Sequence, residues 1–156
     1  MAKINNQRLF GRLDGGFVVF MIGMRINNFW KIKQWLTVGM AMPKMIKELY
    51  KKPEAGMLGA EAWFGRTTIM VQYWRSFEHL EAYAKDKTGE HFPAWKEFNQ
   101  RFRKSEAVGI WHESYKVSQG NYENIYVNMP AFGLGKVGKL LKASELYDTA
   151  GGRMNS

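Results

Sequence analysis

The run GGFVVFMIGMRIN, Gly15 to Asn27, constrains this chain more than any other stretch. On an extended backbone Val18, Phe20, Ile22, Met24 and Ile26 share one face, and Phe17, Val19, Met21, Gly23, Arg25 and Asn27 share the other. The pattern predicts a long strand buried on at least one side. A strand this apolar needs a sheet around it and elements to cover it, so the rest of the chain is read for partners.

From about Asn28 to Lys52 the period changes. Trp30, Trp35, Leu36, Met42, Met45, Ile46 and Leu49 fit an amphipathic helix, with Pro43 expected to break or kink it. MLGAEAWF and TTIMVQYW flank Gly65-Arg66 and predict a hairpin. Ser76 is then an N-cap, with Glu78 in the first turn of a helix striped by Phe77, Leu80 and Ala84. A second helical piece starts near Pro93, striped by Trp95, Phe98 and Phe102. VGIWHESYKV reads as a strand, NYENIYVNMP as one more, and VGKLLKASELY as a last helix.

Strand, helix, strand, strand, helix, strand is the split β-α-β plan of a ferredoxin-like α+β domain. Its antiparallel sheet has helices on one face and here carries a C-terminal extension. The bulky opposite face needs cover, most simply from a second copy, so a homodimer enclosing a cavity is expected. Residues 1–14 are read as a basic arm, 15–147 as a single domain and 148–156 as a flexible tail.

Charge and composition narrow the functional classes. The chain has no cysteine, which excludes disulfides, thiolate metal sites and cysteine nucleophiles and fits a cytoplasmic location. The apolar run FVVFMIGM is too short to span a bilayer and lacks the pattern of a signal peptide. Of the net charge of +9, residues 1–52 carry +8: ten basic residues against Asp14 and Glu48. No nucleic-acid motif accompanies them, so they are read as a solvated face and nucleic acid is not expected as a partner.

Two of the three histidines stand where packing does not ask for them. His112 shares its strand face with Val108, Ile110 and Ser114. It is either a buried, hydrogen-bonded imidazole or a proton donor and acceptor lining a cavity. His91 opens the aromatic helix one turn before Trp95, either as a loop residue or as a metal ligand beside an aromatic wall. His79 is read as solvated. There is no HExxH, GxSxG or phosphate loop, and two histidines do not make a zinc site.

YWRSFEHLEAYAKD, then HFPAWKEF, then VGIWHESYKV resembles the dimeric α+β barrel superfamily, in particular small antibiotic-biosynthesis-type and fungal polyketide monooxygenases. It is also similar to the second half of the haem-containing aldoxime dehydratases, through Trp74-Arg75-Ser76, His91 and the IWHESY strand. That resemblance implies an enzyme acting on a small apolar molecule, with haem as cofactor. It would make His91 the proximal iron ligand and His112 the distal acid/base. Trp74 and Trp95 would be pocket or core residues, and Arg75 a propionate contact or a surface ion pair. The monooxygenase branch implies cofactor-free oxygenation instead, and a non-catalytic haem or ligand carrier is the third reading.

Overall fold

The Phe17–Ile26 run is the inner strand on which the rest of the sheet is assembled. The computed structural model describes residues 3–154, and the ends of the expected arm and tail (1–2 and 155–156) lie outside the described residues. In chain order the elements are β1 (Leu9–Arg12), β2 (Phe17–Ile26), α1 (Ile32–Lys51), β3 (Met57–Trp63), β4 (Ile69–Trp74), α2 (Phe77–Lys85) and α3 (His91–Glu97). They are followed by β5 (Val108–Val117), α4 (Leu134–Val137), β6 (Lys139–Lys142) and α5 (Ala150–Met154). The main sheet is antiparallel in the order β3-β4-β2-β5, and a second sheet pairs β1 with β6. This is the expected α+β plan.

Register converts the alternation of β2 into rows across the sheet. Val18 faces Trp74 and Lys116, Phe20 faces Gln72 and Ser114, and Ile22 faces Met70 and His112. Helices α1 and α2 close on the Val18 row, where Val18, Leu49, Met57, Trp74 and Leu80 form the core. Trp74 is 1% exposed, its indole N–H donated to Gln72 Oε1 at 2.9 Å. Burying a side chain of this size contributes about 1.5–3 kcal/mol or more. The Phe20 and Ile22 rows lie on the same face, beyond that core.

The opposite face is covered in part by the chain itself. Phe17 meets the Tyr122 ring edge-on at 5.0 Å, and Trp63 meets Phe132 at 5.9 Å. A side chain at Gly59 would meet Val137 Cγ1 at 2.4 Å and would have to displace this cover.

Three local expectations are corrected. Pro43 lies inside α1 without dividing it, because Met45 and Leu49 beyond it are buried and hold the helix in place. NYENIYVNMP is not a strand: only isolated bridges tie Tyr126 to Leu9 and Met129 to Asn5. Here the Asn124 amide takes the place of a neighbouring strand, accepting from Gly11 N at 2.6 Å and donating to Gly11 O at 2.8 Å. In VGKLLKASELY the helix stops at Val137, before Gly138, and KLLK becomes β6, because β1 offers it a long-range partner. Elements also form among the described residues of the expected arm and tail. β1 lies within the expected arm, and Arg153 in α5 is buried, with Nε donating to Glu123 Oε1 at 2.6 Å and Nη1 to Tyr147 O at 2.9 Å.

Candidate active site

Beyond the core, the helices and the sheet line an open cavity of about 610 Å³. The sheet supplies Phe20, Ile22, Met24, Met70, Ile110, His112 and Ser114; α1 supplies Met42 and Met45; α2 and α3 supply Phe77, Leu80, His91 and Trp95. Methionine and aromatic walls are apolar, polarisable and adaptable in shape.

His91 reaches this cavity through a chain of local bonds. Ser76 caps α2, its Oγ facing His79 Nδ1 at 2.9 Å. The His79 ring packs over Gly56, where a Cβ would lie 2.5 Å away, so His79 is a structural residue rather than a solvated one. At the far end of α2, Asp86 Oδ1 accepts from Thr88 N and Thr88 Oγ1 at 2.8 and 2.7 Å, which sets the turn. Glu48 Oε2 then accepts the Glu90 N–H at 2.9 Å and the Tyr83 hydroxyl at 3.3 Å. Lys52 at 2.8 Å, followed by these hydrogen bonds, holds the Glu48 carboxyl below its ordinary range. Burial and the facing carboxylate push the Tyr83 phenol up.

The next residue is His91, the first of α3. Its ring lies 6.0 Å from that of Tyr83, and its Nδ1 is buried without a hydrogen-bond partner among the described residues. Burial lowers its pKa and the Ala84 carbonyl opposes this only partly, so the ring is neutral at pH 7. His112 comes from the sheet, 5.8 Å from the Phe20 ring, on the face that the alternation of β5 predicts.

Of the five residues singled out from sequence, His91, His112 and Trp95 therefore line one cavity. Trp74 and Arg75 do not. Trp74 stands in the core, in one cluster with the cavity residue Leu80, and its ring lies 5.8 Å from that of Tyr83. Arg75 is exposed, its side chain directed to Pro53 O at 3.5 Å. Sequence reasoning missed Ser114, Met70 and Glu48. Ser114 was within reach, because it lies two residues beyond His112 on the same strand face. Met70 required the β2–β4 register. Glu48 gives no local signal, since it bonds a residue 42 positions away. Among the described residues no three His, Cys, Asp or Glu side chains gather as a metal site.

Comparison with known proteins agrees with this architecture. A solved aldoxime dehydratase superposes with a TM-score of 0.54 over 94% of this chain and 42% of its own, at 13% identity, which is a likeness of fold. Monooxygenase af470 of Aspergillus fumigatus is 28% identical over 133 residues, 78% of this chain and 46% of its own, so the chain spans about half of that relative. The model of the monooxygenase af470-like family matches residues 17–134, a span that holds the main sheet, all three covering helices and both cavity histidines. The chain belongs to the monooxygenase af470-like family.

Proposed function

We propose that the protein is a monooxygenase for a small, largely apolar molecule held in the His91–His112 cavity. The observation that carries this reading is an apolar wall with three free polar groups. His91 Nδ1, His112 and Ser114 have no hydrogen-bond partner among the described residues. The threonine, asparagine and carboxylate side chains of the lining are engaged. Thr37 donates to Lys33 O at 2.7 Å, Thr68 Oγ1 accepts from Met24 N at 3.0 Å, and Asn99 donates to Trp95 O at 2.9 Å. Glu81 and Glu97 pair with Lys85 and Arg101. A ligand here is gripped by apolar contact and addressed by two imidazoles and a hydroxyl.

A neutral imidazole is a base at neutral pH, and burial keeps His91 in that form. In the proposed reaction it takes a proton from an acidic C–H of the substrate. The carbanion reduces dioxygen, a C–O bond forms, and the imidazolium returns its proton to the peroxide. Loss of water from the hydroperoxide leaves a carbonyl. A CH₂ group and O₂ thus become C=O and H₂O, and the substrate supplies all four electrons. His112 and Ser114 orient the substrate oxygen on which negative charge develops.

Haem is the cofactor that the dehydratase resemblance implies, and the lining fits it in only one respect. His91, neutral and with an unpartnered ring nitrogen, could hold the iron. The propionates have no counterpart. The only charged lining residues among those described are Glu81 and Glu97, and Arg75 lies outside the cavity. The residues do not fit the whole group, and no step passes through it.

We also propose that the protein works as a homodimer. The part of the second sheet face left by the chain's own cover carries Met21, Val71, Trp111 and a half-exposed Tyr115, which a second copy would bury. Sedimentation velocity tests this reading, and a protein that stays monomeric at micromolar concentration would remove it.

The deciding experiment uses anthrone, a flat apolar carbon acid, with an oxygen electrode. Uptake of one O₂ per anthrone that vanishes in His91→Ala, in protein whose spectrum lacks a Soret band, supports the proposal. Turnover that requires added haemin would replace it with the haem reading. Absence of both uptake and anthrone binding would end it.

A further inference from the structure

One face of the molecule is apolar where solvent should meet it. Ile32, Leu36 and Met40 stand one turn apart on the outer side of α1 and are about half exposed. Just before the helix, Trp30 is 92% exposed, and at the end of the β3–β4 hairpin Phe64 is 87% exposed. These are not loose side chains at a frayed end. The Trp30 N–H donates to Asn28 Oδ1 at 3.0 Å, and Trp35 Nε1 donates to Phe29 O at 3.1 Å. The Arg66 guanidinium lies over the Phe29 ring at 5.7 Å, which ties the segment before α1 to the hairpin. The fold holds a tryptophan and a phenylalanine out into water on fixed backbone.

The charge beside this patch is one-sided. Residues 31–51 contain Lys31, Lys33, Lys44, Lys47 and Lys51 against Glu48 alone. Glu48 turns inward to Lys52, Tyr83 and Glu90. Lys33, Lys44, Lys47 and Lys51 are exposed, and none forms an ion pair with a described residue. The outer side of α1 is therefore apolar over its first half and basic over its second. Phe64 also lines the cavity, together with Thr37, Val38 and Ala41 of α1, so the cavity reaches the surface at Phe64.

We propose that this face docks on an anionic lipid bilayer, placing the cavity mouth at the membrane surface. Trp30, Ile32, Leu36, Met40 and Phe64 enter the boundary between headgroups and acyl chains, while Lys33, Lys44 and Lys47 meet the lipid phosphates. An interfacial helix of this kind combines Trp, Phe and Leu on one part with lysine on another, and its attraction to anionic lipid adds to apolar burial. A second copy on the same face would bring these lysines together and is disfavoured. Among the described residues no helix is long and apolar enough to cross a membrane, so the association is peripheral. An apolar substrate dissolved in lipid would then reach the cavity without crossing water, but the docking itself does not depend on the proposed reaction.

The test is flotation of the full chain with phosphatidylcholine vesicles, with and without a quarter of phosphatidylglycerol. The protein should float with the anionic vesicles and not with phosphatidylcholine alone, and should be released by high salt. Trp30→Ser/Phe64→Ser should weaken binding about tenfold or more, and Lys33→Glu/Lys44→Glu/Lys47→Glu about a hundredfold. Leu146→Ser, an equally exposed apolar site on a separate turn, should leave binding unchanged. Thermal melts of each variant check the fold. Binding that is absent, or that the first two variants leave intact while folded, overturns the proposal. So does a change of oligomeric state in Trp30→Ser/Phe64→Ser without a change in vesicle binding, which would assign the face to a second copy.

Discussion

The Glu48 carboxylate accepts the main-chain N–H of Glu90, one residue before His91, at 2.9 Å. A helix that lies far off in the sequence thus fixes where α3 begins, and with it the cavity histidine. Glu90 has no side-chain cap of its own to do so. Glu48→Gln keeps an acceptor and should cost about 1 kcal/mol, whereas Glu48→Leu strands the Tyr83 hydroxyl and the Glu90 N–H and should cost about 2–3 kcal/mol. Chemical denaturation measures both. Equal costs would show that the charge, not the hydrogen bonds, is what the fold uses.

Glu48 also predicts a pH dependence. Its folded pKa lies below the ordinary 4.5, with the Lys52 contact the largest cause. Between the folded value and 4.5 the unfolded chain binds more protons, so this contribution is full above pH 4.5 and is lost as pH falls through the folded pKa. Melting temperatures between pH 6 and 3 should fall less steeply in Glu48→Gln than in the wild type.

His91 acts in a higher window with the same sign. Burial sets its folded pKa below the ordinary 6.5, so the neutral native ring is favoured at pH 7 and above. Stability should decline as pH drops below 6.5, because the unfolded chain takes up the proton first. His91→Phe should flatten the melting curve between pH 7.5 and 5. An unchanged slope would mean that the ring is not buried in the native state.

The sheet and the site differed in how legible they were. Alternation in Phe17–Ile26 and Val108–Val117 gave the inner strand β2 and the edge strand β5 their faces, and thereby put His112 on the face where it is found. Ser76 announced its helix because capping is a local interaction. What failed depends on partners far away. Lys139–Lys142 becomes a strand only because Leu9–Arg12 lies beside it, and Asn124 replaces a strand through its side chain. The methionine wall depends on the β2–β4 register, which sets Met70 beside Ile22. Trp74 looked like a site residue because its neighbours in sequence resemble a motif, yet it points into the core.

Gly23 is required by close approach rather than by backbone conformation. A Cβ there would lie 1.9 Å from the Thr68 carbonyl oxygen and 2.7 Å from Trp111 Nε1. Gly23→Ala must push the turn end of the β3–β4 hairpin away from β2, where Thr68 N donates to Met24 O at 2.8 Å. The expected cost is about 1–3 kcal/mol. Faster amide exchange at Thr68 than at Val19 in the variant would localise the damage, and a variant as stable as the wild type would show that the strands can separate freely.

Trp74 and Trp95 come from the same sequence reading and should respond in opposite ways. Trp74 is sealed under α2 with its N–H satisfied, so Trp74→Ala opens a core cavity, strands Gln72 Oε1 and should cost about 3–5 kcal/mol. Trp95 stands on the cavity wall and is 55% exposed, with the Phe92 ring 6.1 Å away. Trp95→Ala should shift stability by less than about 1 kcal/mol, since little of its surface is removed from water by folding. Its effect belongs to the ligand, and binding of a flat apolar probe such as anthrone should weaken by about tenfold as one aromatic wall is lost. Melting temperature and probe affinity, measured on both variants, separate the two roles. A Trp95→Ala protein that unfolds as readily as Trp74→Ala would mean that the cavity is closed core, and the site would have to be sought elsewhere.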